Sequence, residues 1–120
     1  MIMKDGIKHI RELNKCLSEY IRMLEDEIIP QQLRRFERGF RKVSQGLQEY
    51  SLPDKLHDEL KKDAQVIFDN TLKFTDSLVF DCHHLRAGTG VFDKGLEGYI
   101  QDMKDFQAKL LGVIESFERF

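Results

Sequence analysis

The sequence has no tryptophan, only two prolines and only two cysteines. No stretch approaches the roughly 18 apolar residues that a membrane span requires. Too few prolines and glycines are present for a collagen-like or low-complexity chain, and two cysteines cannot build a disulfide framework. Cys16 and Cys82 lie far apart, neither in a CxxC pair, so a zinc knuckle is not suggested either. Both are expected to be buried or half-buried free thiols. A large excess of one charge is also missing: 19 Lys+Arg stand against 21 Asp+Glu, which argues against a globally basic nucleic-acid binder. The opening MIMKDGIKHIRELNK carries no apolar h-region or small-residue cleavage site, so a cytoplasmic location is expected.

What is present is a 120-residue chain that is 41% hydrophobic and 33% charged, suited to a single domain over residues 1–120 with one core. Apolar residues recur at alternating spacings of three and four, and strict alternation never persists, so the expected class is all-α. The first stripe is Ile10, Leu13, Leu17, Tyr20, Ile21, Leu24 and Ile28, on a helix over about residues 5–29. The second is Leu33, Phe36, Phe40, Val43, Leu47 and Tyr50. Continued as one helix through Pro30, these two stripes would point more than about 100° apart. A turn or sharp bend at residues 28–31 is therefore expected.

A third segment opens at Pro53-Asp54, with Asp54 as a candidate cap, and closes at Leu85-Arg86-Ala87-Gly88. Its apolar arc includes Leu60, Ala64, Ile67, Phe68, Leu72, Phe74, Leu78, Val79, Cys82 and Leu85, the widest in the chain, which marks it as the expected most buried helix. The fourth stripe runs from Phe92 through Leu96, Tyr99, Met103, Phe106, Leu110, Val113 and Phe117 to Phe120. Four stripes joined by short links predict an antiparallel up-down-up-down four-helix bundle, with a three-helix bundle bent at Pro30 as the alternative.

The strongest charge feature is on the second helix, QQLRRFERGFRKV. Arg34, Arg35, Arg38, Arg41 and Lys42 all fall opposite the Phe40 direction, forming one basic ridge. Residues 31–53 carry five cationic against two anionic groups, +3, whereas the segments 1–30, 54–90 and 91–120 come to −1, −2 and −2. Arginine suits bidentate contact with phosphate or carboxylate, so the ridge is a candidate site for an acidic partner or a nucleic-acid backbone. The plainer reading is a solvated face answered by Glu25, Asp26 and Glu27.

Two carboxylate–histidine pairs at i, i+3 invite a metal reading, Asp54 with His57 and Asp81 with His84. Being about 40 Å apart on one helix, they cannot share an ion. Asp5 with His9, Asp54 with His57, and Glu115 or Glu118 could gather at one end of the bundle, but the inward rows are apolar where ligands belong. In Asp81-Cys82-His83-His84 the thiol points inward while both histidines diverge from it, unlike a nucleophile and its base. Gly88-Thr89-Gly90 lacks the rest of a phosphate loop and suits a helix cap. No catalytic residue, cofactor or metal ligand is assigned.

The glycines and one phenylalanine suggest contact instead. Gly39 and Gly46 repeat at seven, and Gly95, Gly98 and Gly112 interrupt the last helix, each interior one costing about 1 kcal/mol relative to alanine. Close helix approach, within the bundle or between chains, is the expected compensation. Phe80 points away from the core, with His84 and Val66 on the same outer side, as a protein interface would have it. The function expected is that of a non-catalytic interaction protein: a self-associating adaptor, chaperone or accessory subunit with a protein partner or a second copy. A nucleic-acid accessory protein using the arginine ridge is the alternative, and a metal- or cofactor-binding bundle the second.

Overall fold

A computed structural model describes residues 4–88, 92 and 94–119. It contains four helices, α1 (Lys4–Asp26), α2 (Pro30–Glu49), α3 (Asp58–Arg86) and α4 (Gly95–Glu118), and no strand among the described residues. None of the helices is long and apolar enough to cross a membrane. The break at Pro30 is a true turn. Residues 27–29 leave the helix, Ile29 caps α2 in an extended conformation, and Pro30 takes the first helical position, where its missing N–H costs nothing.

All neighbouring helices run antiparallel, as cross-helix pairs show. Between α1 and α4, Arg11 pairs with Glu118 and Glu25 with Lys104. Between α2 and α3, Glu37 faces His83 and Ser44 donates to Asp76. Between α3 and α4, Phe68 stacks on Phe117 and Phe74 on Phe106. Residue numbers rise on one helix as they fall on the other throughout, which is the up-down-up-down arrangement.

One core joins the helices. Tyr20 lies at its centre, completely buried, its ring meeting Phe36, Phe40 and Tyr99 edge-on at 5.5, 5.4 and 6.4 Å. Each such pair adds about 0.5–1.5 kcal/mol beyond burial. The most buried helix is α1, not α3. Ile7, Ile10, Leu13, Leu17 and Tyr20 are all fully inaccessible, because α1 packs closely on both α2 and α4. Helix α3 is close to α2 alone, and phenylalanine pairs hold its backbone away from α4. Leu60 and Leu96, expected in the core, are exposed, while Leu52 and Leu56 in the α2–α3 connection are buried and close the end of the bundle.

The start of α3 also differs from expectation. Asp54 does not cap it: the Leu56 N–H donates to the Pro53 carbonyl in a turn, His57 occupies the cap position, and Asp54 pairs with Lys61. Proline disfavours helix in the residue before it, and this local turn displaces the helix start by one turn. The end of α3 is as expected. The Ala87 N–H bonds the His83 carbonyl and Gly88 adopts φ +81°, the left-handed position glycine fills at a helix C-terminus. Thr89, Gly90 and Phe120 lie outside the described residues. Phe92 precedes α4 rather than belonging to it, and packs on Tyr99 at 4.9 Å.

Gly39 and Gly46 answer α1, on which His9 and Cys16 repeat at the same spacing of seven. A Cβ on Gly46 would run into the His9 ring, and one on Gly39 would stand 3.1 Å from Cys16 Sγ. Gly6, which the sequence did not single out, is tighter still, with the Phe68 and Tyr50 rings each 2.7 Å from a Cβ. In α4 the expectation fails. Gly95 serves a backbone turn at φ +80°, Gly98 is crowded only by Lys94 beside it, and Gly112 faces open space.

Candidate functional site

The basic ridge of α2 is divided by its neighbours. Glu37 and Ser44 mark the flank of α2 that meets α3, whereas Gly39 and Gly46 mark the flank that meets α1. Arg35 leans to α1, 3.7 Å from Glu19 and with its guanidinium 5.2 Å from the Phe36 ring centroid. Lys42 lines the α1–α2 groove, about 530 Å³, together with His9, Cys16 and Gly39. Arg34, Arg38 and Arg41 stand on the other side, so the five expected residues do not form a single face. All five are exposed.

The α3 side holds a residue that sequence reasoning passed over. Glu37, the one acid within QQLRRFERGFRKV, is only 9% exposed. Its Oε1 has no hydrogen-bond donor among the described residues and instead faces Arg86 Nη2 at 3.6 Å and His83 Nδ1 at 3.8 Å, while Oε2 faces Arg41 at 3.6 Å. Burial of an unpaired carboxylate is costly, so these cations are what keep it tolerable. A single acid among arginines was the available signal. Arg86 comes from the last turn of α3, where a cation also suits the negative helix end. With Pro30, Gln31, Arg34 and Arg38 it lines a second cleft of about 440 Å³.

From Glu37 the surface continues to Phe80. His83 lies 5.5 Å from the His84 ring, and His84 packs at a tilt of 39° against Phe80 with centroids 4.0 Å apart. Phe80 is 59% exposed. The arginines and the outward phenylalanine, separate candidates in the sequence, thus occupy one α2–α3 face. Val66, 58% exposed, does not join them, standing about 21 Å along α3 from Phe80.

Inside, a polar chain crosses the core next to this face. The Tyr99 hydroxyl donates to Asp81 Oδ2 at 2.8 Å and lies 2.8 Å from the Tyr20 hydroxyl. Since the Tyr99 proton is committed to Asp81, Tyr20 is the donor to Tyr99. Burial raises the Asp81 pKa, opposed by the Tyr99 hydrogen bond and by His84, and it raises both tyrosines. Cys82, fully buried next to Tyr20, is pushed up to about 12 by desolvation, the Tyr20 hydroxyl opposing and Asp81 reinforcing. Half-buried Cys16 is also pushed up to about 12, by desolvation and then by Glu19. These are thiols far from the thiolate form that attacks or binds metal. His83 points outward while Cys82 points in, as expected. Among the described residues no group of three or more His, Cys, Asp or Glu is placed to hold a metal ion.

Comparison of the chain with protein-family models, curated proteins and solved structures finds no match. The functional reading therefore stands on the residues themselves.

Proposed function

We propose that this protein is a non-catalytic helical-bundle interaction protein that docks an acidic protein partner through its α2–α3 face. The observation that carries the reading is the continuity of that face, from exposed Phe80 through His84 and His83 to Glu37 and its arginines. Aromatic residues and arginine are the types that dominate binding energy at protein interfaces, where a ring supplies apolar area and a guanidinium supplies directed hydrogen bonds. Arg34 and Arg38 have no acidic partner among the described residues, so their charge is available to another molecule. A polynucleotide backbone fits less well. Glu19 and Glu37 interrupt the basic surface, and Phe36, adjacent in the ridge, is buried and cannot stack on a base.

Purified wild-type protein and three variants, Phe80→Ser, Arg34→Glu/Arg38→Glu and Val66→Ser, test this in pull-downs from the source cells with light scattering alongside. A partner, or a second copy, held by wild type and Val66→Ser but lost by the other two is the expected result. A strict monomer with no partner, or equal retention by all four proteins, overturns it.

A further inference from the structure

The cleft of about 440 Å³ at the start of α2 has a composition unlike the rest of the surface: of its five lining residues, three are arginines, Arg34 and Arg38 from α2 and Arg86 from α3. We infer that this cleft is a binding site for a single phosphoryl group carried on a protein partner. The partner half of that statement rests on the docking reading above; the phosphoryl half rests on the cleft.

Three features select the ligand. First, the arginine side chains that line the cleft come from two helices rather than from one edge of α2. A carboxylate offers two oxygens and a single negative charge, whereas a phosphate monoester presents three terminal oxygens and close to two negative charges, and so gains more from several arginines at once. Second, the cleft opens at the positive end of a 20-residue helix. The first intrahelical bond of α2 is from the Leu33 N–H to the Ile29 carbonyl, which leaves the Gln31 and Gln32 amides without an intrahelical acceptor. Third, Arg86 is already held. Its 3.6 Å contact with buried Glu37 fixes the side chain at the cleft wall, so little rotamer freedom is lost when an anion arrives. Glu37 is the one opposing charge. It is shared with Arg41 and His83, while Arg34 and Arg38 carry no ion pair among the described residues, so the local balance stays positive.

The same surroundings favour a phosphorylated protein segment over a nucleic acid. The basic cleft lies beside a depression lined by Glu19, Asp26 and Glu27 together with Arg22 and Arg35, so the next phosphates of a polynucleotide would meet three carboxylates against two arginines rather than a continuing basic surface. On the α3 side lies Phe80, packed against His84 and exposed to a neighbouring side chain of a bound segment.

Nuclear magnetic resonance titration of the full chain at low salt is the test. The probes are inorganic phosphate, a phosphoserine peptide, its unphosphorylated and Ser→Glu forms, and a short oligothymidylate. Saturable shifts on inorganic phosphate confined to residues 31–38 and Arg86 are expected, with the phosphoserine peptide bound about tenfold or more tightly than the glutamate form. Arg34→Gln and Arg38→Gln, both at exposed positions, should each weaken it by about tenfold with unchanged helical circular dichroism. Equal binding of the phosphoserine and glutamate peptides overturns the phosphoryl site and leaves the docking reading standing. So does loss of binding in Phe80→Ser with full retention in Arg38→Gln. Loss in Arg38→Gln with retention in Phe80→Ser supports the site and counts against the docking face. Tighter binding of oligothymidylate, displacing phosphate, overturns the protein partner.

Discussion

The Cys16 thiol rests directly on Gly39, 3.1 Å from where a Cβ would stand, and two turns away the His9 ring fills the equivalent space over Gly46. The two glycines exist for two side chains of α1. At Gly46 alanine gains about 1 kcal/mol of helix propensity but strikes the imidazole. Gly46→Ala should therefore destabilise the protein, whereas in a His9→Ala background the same substitution should stabilise it by about 1 kcal/mol. Urea unfolding of the four members of this cycle reads the sign change, and a Gly46→Ala effect of the same sign in both backgrounds would refute the pairing.

Asp81 makes stability depend on pH in a direction opposite to that of an ordinary paired carboxylate. Its folded-state pKa is raised by burial, so in the window above the usual aspartate value of about 3.9 the folded protein holds a proton that the unfolded chain has released. Stability contributed by this group is full below that window and falls as pH rises through the raised pKa. Asp81→Asn keeps an oxygen for the Tyr99 hydroxyl but does not titrate. The unfolding free energy of the variant minus that of wild type should increase with pH from about 4 upward and then level off. A difference that is flat or falls across that range would contradict the assignment.

The direction of the hydrogen bonds ranks two conservative substitutions. Tyr20→Phe removes a donor but leaves the Tyr99 hydroxyl bonded to Asp81, and should cost about 1 kcal/mol. Tyr99→Phe leaves both the Tyr20 hydroxyl and the Asp81 carboxylate without that partner, and should cost more, about 2–3 kcal/mol. Thermal or urea unfolding at neutral pH measures the order; an equal or reversed ranking would show that Tyr99 is not the shared centre.

Both cysteines should be unreactive in the folded state. With thiols pushed up to about 12, the thiolate fraction at pH 8 is smaller than that of a free cysteine by about three orders of magnitude. A disulfide-exchange reagent should label neither Cys16 nor Cys82 rapidly in the native protein, and both at once in denaturant. Half-buried Cys16 should be the first to react as denaturant is raised. Rapid native labelling of Cys82 would mean that its part of α3 opens readily.

The chemistry near Glu37 shows where sequence reasoning stops. Helical period places each cation of the α2 ridge relative to its own apolar stripe, and all five are indeed outward. It does not say which neighbour stands at each flank. Arg35 met Glu19 of α1, and Arg41 shares Glu37 with Arg86 of α3, so one ridge became two surfaces. Asp54 failed as a cap for a related reason. The cap preference is local, but the Pro53 turn and burial of Leu56 set where α3 begins.

The sequence by itself determined the number of helices, the break at Pro30, the inward Cys82 and the glycine end of α3, because each follows from side-chain period or from backbone sterics within a few residues. Only the tertiary structure decided what the flanks do. It joined Phe80 and His84 to the arginines, buried Glu37 among cations, and set Gly39 and Gly46 against Cys16 and His9. Those pairings depend on the order, spacing and rotation of helices around a shared core, which the period of any one helix leaves open.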